Sequence, residues 1–236
     1  MQLTILGNNG PFACAGGACS SYLISQSGKN AVIDMGPGSL SNLQKHIRLG
    51  EIDAIVLSHL HYDHVSDIFS LKYALGLMRA RVGFDKKIDV FLPESPRNVF
   101  DEIAGDESFC IHVLSDGYSC DICGMQAEFM RMTHPVESYA LSLRAEGKRF
   151  VYSGDTTKND RIAPFAAGAD VYLADAGLLE EHSGGPHMTV REACESGALA
   201  KRTLLTHISP MYGADDLLRE VKGEAAFVQI SERYDI

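Results

Sequence analysis

The sequence has no long uninterrupted apolar run and no recognisable N-terminal leader pattern. Its apolar segments all fall far short of the roughly 18 residues that a membrane-spanning helix needs. No N-terminal stretch combines basic residues, an apolar run and a small-residue cleavage site, so a secretory signal is not expected. These absences predict a cytoplasmic protein with no membrane partner.

Basic residues are scarce as well, because 21 Lys and Arg are set against 31 Asp and Glu, which leaves a formal net charge of −10. Proteins that hold long nucleic acids neutralise phosphates with clustered Lys and Arg. Here the basic residues are scattered apart from small clusters at 79–81 and 201–202. We therefore do not expect a long nucleic acid as partner, although bound metal cations would place positive charge where a phosphate needs it.

Two further kinds of motif are missing, those of nucleotide binding and a paired cysteine motif. The glycine-rich N-terminal loop contains neither GxGxxG nor GxxxxGKS, so it does not predict a nucleotide cofactor. Cys120 and Cys123 have the spacing of a zinc knuckle or a redox pair, but no second matched pair accompanies them. We interpret this segment as a turn between two strands, and we expect all six cysteines to be reduced thiols.

What the sequence does contain is an ordinary globular composition, with 45% apolar and 22% charged residues in 236. This length predicts one domain, 1–236. Strands are predicted at 2–6, 20–24, 30–34, 54–57, 88–92, 109–114, 126–132, 140–145, 149–153, 171–174 and 203–206. Helices are predicted at 40–49, 65–81, 96–104, 160–167, 189–200 and 215–221. Strands of both kinds interleaved with helices favour an α/β fold, in which two sheets pack together with helices outside.

Histidine and aspartate are concentrated directly after the predicted strand at 54–57. His59, His61, Asp63 and His64 fall within six residues, where a strand end can present side chains to a cleft. Imidazole and carboxylate suit zinc and similar ions, and four such groups exceed the usual share of one ion. The loop therefore predicts a site for two metal ions, for which further ligands are needed.

The remaining candidates also follow strands. His134, Asp155 and His207 each lie one or two residues past a predicted strand. A shared cleft at one sheet edge requires this placement, and the three residues complete the predicted metal site.

The run His59-x-His61-x-Asp63-His64 resembles the HxHxDH signature of the metallo-β-lactamase superfamily. Asp34, which precedes a glycine-rich turn, resembles the superfamily's early structural aspartate. The resemblance extends from Asp34 to His207 and implies the αββα sandwich, two mixed sheets face to face with helices outside.

The resemblance also implies a role for each ligand. The first ion would be held by His59, His61 and His134. The second ion would be held by Asp63, His64 and His207. Asp155 would bridge two divalent ions, expected to be zinc, with manganese or iron as alternatives.

A second motif selects among the superfamily's activities. The segment 184–189 contains His187-Met-Thr189, which resembles the H-x-[ST] motif of ribonuclease Z and its phosphodiesterase relatives. Asp175 resembles an acidic position of that group where glutamate is usual. We therefore predict Asp34, Asp175 and Thr189 as residues that support the ligands or contact substrate.

Phosphodiester hydrolysis needs an activated water and a proton for the departing alkoxide. Asp63 could orient or deprotonate that water, while His187, which is not needed as a ligand, could protonate the leaving group or hold the phosphate. Asp63 and His187 are the predicted catalytic residues. No role is predicted for His46, His112 or His182.

The size of the substrate is predicted from a missing insertion. Ribonuclease Z carries a long RNA-binding arm between the residues that match His134 and Asp155, and this chain has only two predicted strands there. We expect a phosphodiesterase for small substrates, cyclic nucleotides among them. The alternatives are a ribonuclease Z-like endoribonuclease and an ester, thioester or lactam hydrolase. A flavodiiron redox protein is disfavoured, since such proteins usually replace a histidine of HxHxDH.

Relatives of this group commonly form homodimers, and on that resemblance we expect a homodimer here. Tyr73, Leu77, Met78 and Phe84 would line either an interface or the core.

Overall fold

The computed structural model describes residues 1–236, and two mixed β-sheets form its centre. The first sheet has the spatial order β14 (Arg233–Asp235), β1 (Gln2–Gly7), β2 (Ser21–Gln26), β3 (Lys29–Ile33), β4 (Ala54–Val56), β5 (Ile88–Leu92) and β6 (Phe109–Val113). Strands β14 to β3 pair antiparallel, and strands β3 to β6 pair parallel.

The second sheet is built in the same way. Its order is β13 (Ala226–Phe227), β12 (Thr203–Thr206), β11 (Val171–Asp175), β10 (Lys148–Tyr152), β9 (Tyr139–Ala145), β8 (Met125–Arg131) and β7 (Ser119–Ile122). Strands β7 to β10 pair antiparallel and strands β10 to β13 pair parallel. Each sheet therefore has an antiparallel half and a parallel half.

Helices cover the outer face of each sheet. The first sheet carries α1 (Ser39–Leu43), α2 (Tyr62–Val82) and α3 (Arg97–Ala104), and the second carries α4 (Ile162–Ala166), α5 (Val190–Ser196) and α6 (Ala214–Glu220). One apolar layer fills the space between the sheets, and a further layer lies under each group of helices. The predicted αββα sandwich is confirmed. None of the helices is both long and apolar enough to cross a membrane.

The parallel halves position the polar residues of interest. Parallel strands end at the same edge of a sheet, and in open α/β sheets ligands bind beyond those carboxyl ends. Asp34 follows β3, His59 follows β4, Asp155 follows β10 and His207 follows β12, while Asp175 is the last residue of β11. Residues far apart in the chain are brought to one place by this arrangement.

Several helix boundaries differ from the sequence prediction, most clearly in α1, α2 and α5, the last of which ends at Ser196 instead of residue 200. Helix α2 begins at Tyr62 rather than at residue 65, so Asp63 and His64 lie in its first turn. An acidic side chain near a helix N-terminus is favoured by the helix dipole. Helix α1 ends at Leu43 instead of residue 49. The backbone amides of residues 44–47 donate to carbonyls either three or four residues back, so the regular α-helical hydrogen-bond pattern is lost there.

The interpretation of the cysteine pair as a turn is wrong for Cys120. This residue lies within β7 and pairs with Ala127 of β8, and only Cys123 lies in the turn, with φ at 57°.

The four residues predicted for an interface or the core divide into two pairs. Tyr73 and Leu77 are exposed on α2, whereas Met78 and Phe84 pack against the core beneath it.

Candidate metal centre

Three histidines form one side of the cluster at the strand ends. His61 Nδ1 lies 3.1 Å from His59 Nε2 and 3.1 Å from His134 Nε2. The ligand atoms of all three lie within 4.8 Å of one another. His59 comes from the end of β4 and His134 from the loop after β8, so the two sheets contribute jointly to this group. The structure thus brings together the three residues predicted for the first ion.

A second group lies beside the first. His207 Nε2 is 3.2 Å from Asp63 Oδ2, and His64 Nε2 is 3.6 Å from the same oxygen. Asp155 joins this group, and its ligand atom lies within 4.8 Å of those of the other three. These are the residues predicted for the second ion together with the predicted bridge.

Asp155 lies between the two groups. Its Oδ2 is 3.5 Å from His59 Nε2 in the first group and 3.2 Å from both His64 Nε2 and His207 Nε2 in the second. The carboxylate is 1% exposed. A single buried oxygen that faces imidazole nitrogens of both groups has the placement that a shared ligand requires.

The polar atoms at the centre are left without hydrogen-bond partners. Both Asp155 oxygens, His64 Nε2 and His207 Nδ1 are buried and make no hydrogen bond of acceptable geometry. Buried polar atoms are almost always paired, and leaving them unpaired costs free energy. Imidazole nitrogens and carboxylate oxygens are good donors to divalent metal ions. The residues present therefore fit a site for such ions.

The protonation of four of these side chains also suits metal binding. Burial lowers the pKa of His59 well below its usual value, and burial likewise lowers the pKa values of His61 and His134. Burial opposes ionisation of Asp155, but the nearby His207, His64 and His59 hold its pKa well below the usual range. Metals bind neutral imidazole and ionised carboxylate, which are the forms favoured at these four residues. His64 differs, because burial opposes its charged form but the Asp155 and Asp34 carboxylates raise its pKa well above the usual value, so a metal ion there must displace a proton.

Asp34 supports the ligands from behind. Its carboxylate is fully buried and accepts from Ser58 N at 2.7 Å, from Ser58 Oγ at 2.9 Å and from Tyr152 Oη at 3.0 Å. Its Oδ2 also lies 2.8 Å from His64 Nδ1. A ligand histidine whose other ring nitrogen is held in this way has a fixed orientation and tautomer. Asp34 is thus placed to orient His64.

The partners Ser58 and Tyr152 were not identified from the sequence. Tyr152 lies in a buried strand, where its ring is indistinguishable from a core residue until the fold brings its hydroxyl to Asp34. The backbone also signals the special role of this region. Asp34 and His207 both have φ in the left-handed region, at 54° and 58°. Such conformations are uncommon for residues other than glycine and cluster at functional sites.

His187 lies beside the second group and is held by Asp175. Its Nδ1 is 3.0 Å from Asp175 Oδ2, and its ring stacks on His207 with a centroid distance of 4.6 Å. Burial disfavours the charged ring, but the Asp175 carboxylate outweighs it and raises the pKa of His187 to about 9. Its Nε2 makes no hydrogen bond to the protein. This His187–Asp175 pair has one ring nitrogen fixed and the other available.

Thr189 lies at the start of helix α5, next to the loop that carries His187. Its hydroxyl accepts from Glu192 N at 3.1 Å and donates to Glu180 Oε2 at 3.2 Å, so it caps helix α5. An N-cap of this kind stabilises a helix by about 1 kcal/mol. The cap fixes the point at which the loop carrying His187 enters α5, and it uses the hydrogen-bonding capacity of the hydroxyl.

Two glycines leave room for His207. A Cβ added at Gly10 would lie 2.0 Å from His207 Nε2, and one added at Gly177 would lie 3.0 Å from His207 Nδ1. Gly10→Ala must therefore displace the imidazole. We expect it to weaken metal binding or activity about 10–100-fold, the range found when the supports of a ligand histidine are altered. Metal analysis of the purified variant and its kcat measure this effect.

Gly76→Ala is the matched control, because a Cβ there on helix α2 meets nothing within 4 Å. Alanine has the higher helix propensity, so this variant should bind metal as the wild type does and unfold at a similar or higher temperature. A Gly10→Ala protein with unchanged metal content and kcat would show that the close approach to His207 is unimportant.

The sandwich and its histidine–aspartate clusters define a metallo-hydrolase. The family model described as Beta-lactamase superfamily domain matches residues 29–208, so the chain belongs to this superfamily. It is similar to a probable metallo-hydrolase of Bacillus subtilis, YhfI, with 27% identity over 231 residues that cover 93% of this chain and 91% of YhfI.

Solved structures show the same fold. The crystal structure of YhfI superposes with a TM-score of 0.92 at 23% identity, covering 99% of this chain and 98% of that one. The short form of human tRNase Z gives 0.78 at 21% identity, covering 100% and 99%. A diphosphatase of the PhnP family also gives 0.78 at 21% identity, covering 99% and 96%. The predicted resemblance to the short ribonuclease Z-like branch is confirmed.

The interval predicted to lack an arm is compact. Between His134 and Asp155 the chain forms only the antiparallel pair β9 and β10, joined by a turn at Glu146 and Gly147. Nothing in this interval extends away from the sheet as a separate element.

Proposed function

We propose that this protein is a metal-dependent phosphodiesterase that hydrolyses small phosphodiesters, cyclic nucleotides among them. The observation that carries the proposal is the His187–Asp175 pair beside the ligand cluster. Hydrolysis of an ester, thioester or lactam by a metal centre needs no phosphate-directed acid. A buried carboxylate that fixes one nitrogen of a histidine and leaves the other available is what protonation of an alkoxide leaving group needs.

Two divalent ions would occupy the metal centre. Zinc is the expected metal, and manganese and iron are the alternatives. His59, His61 and His134 would hold one ion. Asp63, His64 and His207 would hold the other, and Asp155 would be shared. When bound, two such ions stabilise charge on phosphate oxygens and lower the pKa of bound water towards about 7.

The remaining steps belong to side chains of this chain. Asp63, which is only 12% exposed, would orient the attacking water and accept its proton. His187 would donate a proton from Nε2 to the departing oxygen, while Asp175 keeps Nδ1 in place and stabilises the charged ring. The His187 ring stacks on the His207 ring with a centroid distance of 4.6 Å, and Asp63 Oδ2 lies 3.2 Å from His207 Nε2. Because both side chains contact His207, both can act on one bound phosphate.

Three features support a small substrate. The interval that carries the RNA-binding arm in ribonuclease Z contains only β9 and β10. The formal net charge of −10 disfavours a long polyanion, which is usually held by clustered Lys and Arg. A diphosphatase is among the structures with the same fold, which favours phosphorus chemistry on a small molecule.

Cleavage of RNA is the second candidate function. The fold matches the short form of human tRNase Z over 100% of this chain, which favours this alternative more than any ester or thioester hydrolase. The two candidates share the metal centre and the His187–Asp175 pair. They differ only in how the substrate is held outside the centre.

A substrate panel separates the two candidates. Zinc-loaded protein is assayed against 2′,3′- and 3′,5′-cyclic nucleotides and, in parallel, against a precursor transfer RNA. We expect turnover of at least one cyclic nucleotide and no specific cleavage of the precursor. Specific cleavage of the precursor without turnover of small diesters would support the second candidate and contradict the first.

A further inference from the structure

A second group of metal-binding side chains lies on the first sheet, away from the metal centre. Asp89 is on β5, and Cys110 and His112 are on β6, the edge strand of that sheet. The ligand atoms of these three residues lie within 4.8 Å of one another. None of the three belongs to the metal centre, and the proposed phosphodiesterase does not use them.

The strand register explains why these side chains meet. Asp89 is paired with Cys110, and Phe91 is paired with His112, in the parallel ladder of β5 and β6. Side chains two residues apart in a strand point to the same face, so all four lie on one face of the sheet. The convergence is therefore built into the backbone and does not depend on flexible side chains.

The imidazole of His112 is already held in position. Its Nε2 donates to Asp89 Oδ1 at 2.8 Å, and its ring stacks on Phe91 with a centroid distance of 4.5 Å and an interplanar angle of 15°. Cys110 is an exposed free thiol. The three groups remain reachable from solvent, since the His112 side chain is 33% exposed and that of Asp89 is 53% exposed.

We propose that Asp89, Cys110 and His112 form a binding site for one thiophilic divalent cation of the zinc class. Thiolate, imidazole and carboxylate are the three protein ligand types of zinc, and a water molecule would complete a tetrahedral site. The thiolate selects softer ions such as zinc, cobalt or cadmium over manganese or magnesium. Binding releases the thiol proton of Cys110 to solvent. His112 binds as neutral imidazole, so the proton that Nε2 donates to Asp89 is given up to solvent and Nδ1 carries the remaining ring proton. The bound ion would cross-link edge strand β6 to β5, because its ligands come from both strands.

The test uses Co²⁺ as the probe, added to protein that has been loaded with zinc and then dialysed to two zinc ions per chain, because zinc left in the proposed site would keep cobalt out. A thiolate ligand gives a cobalt site a near-ultraviolet charge-transfer absorption. The donor groups of the metal centre contain no cysteine, so they cannot produce this absorption. We expect the absorption to saturate at one cobalt ion per chain. It should be absent in Cys110→Ser, and His112→Ala should weaken cobalt binding more than about tenfold, because it removes a direct ligand.

Cys120→Ser is the matched control, because it removes a thiol of the neighbouring sheet and leaves the three proposed ligands intact. This variant should bind cobalt as the wild type does. Diester turnover should be the same in all of these variants, and thermal unfolding checks that each is folded. No thiolate absorption in the wild type, or an absorption that persists in Cys110→Ser, would overturn the proposal. Asp89→Asn gives an independent reading if Cys110→Ser unfolds, since it must also weaken cobalt binding.

Discussion

Replacing His187 with alanine is expected to lower kcat for a cyclic nucleotide about 10²–10⁴-fold, the usual contribution of a positioned acid or base. The metal content should stay at the wild-type value, because His187 is assigned to neither ion. The physical reason is the loss of the proton donor at Nε2, which Asp175 holds through Nδ1 at 3.0 Å. The measurement is kcat together with metal analysis of the same preparation.

The leaving group distinguishes the two roles that His187 can have. A p-nitrophenolate departs without help from an acid, whereas the alkoxide of a nucleoside needs a proton. If His187 is the acid, its loss should slow bis(p-nitrophenyl) phosphate far less than the cyclic nucleotide. An equal loss for both substrates would mean that His187 holds the phosphate instead. His182→Ala, a change in the same loop at an exposed histidine, is the control and should leave kcat unchanged.

Asp155→Asn is expected to have the largest effect on metal binding. The carboxylate lies within 3.5 Å of imidazoles in both ligand groups, so one substitution weakens both proposed ions. We expect fewer than two ions per chain after dialysis and a loss of kcat above about 100-fold. Mutating a residue that only orients a ligand already lowers metal affinity or activity about 10–100-fold, and Asp155 is assigned as a ligand itself. The unfolding temperature should also depend less on added zinc than that of the wild type, because a ligand that binds only the folded state raises it.

Asp175→Asn is the matched control for this change. Asp175 is also a fully buried carboxylate at a strand end, but its oxygens accept from Thr156 N and Gly177 N and hold His187. This variant should keep both ions and still lose activity, because His187 loses its charged partner. Retention of two tightly bound ions by Asp155→Asn would contradict the assignment of Asp155 as a shared ligand.

The sequence was sufficient to locate the cluster. His59, His61, Asp63 and His64 are close in the chain, and their spacing after a buried strand identifies them without a structure. His134, Asp155 and His207 could be added because each follows a predicted strand, and parallel strands end at one edge. Strands of both kinds interleaved with helices predicted two packed sheets with helices outside, and the resemblance to the metallo-β-lactamase superfamily implied the αββα arrangement.

The supporting contacts could not be predicted in this way. Tyr152 reaches Asp34 across the interface between the two sheets, and Gly10 approaches His207 from the other end of the chain. Both contacts depend on the register and packing of strands, which a single sequence does not specify. Thr189 was assigned through a motif, and the capping contact that it makes with α5 could not be predicted from that motif.

Short and polar strands were also missed. Strands β7, β13 and β14 have two to four residues each, and few of their side chains are buried. Their patterns are too short to distinguish from turns. The group of Asp89, Cys110 and His112 was overlooked for a related reason. Its members meet only because β5 and β6 pair in one register, and His112 alone had no feature that marked it.

Hydrolysis of phosphodiesters by the metal centre can be compared with the other reactions of the superfamily in one experiment. We measure kcat/KM of one zinc-loaded preparation for bis(p-nitrophenyl) phosphate, a thioester and a β-lactam, each with wild-type and Asp63→Ala protein. We predict that the phosphodiester has the highest value and that Asp63→Ala abolishes its turnover. Fully metallated protein that turned over the thioester or the lactam but not the phosphodiester would contradict the proposed function.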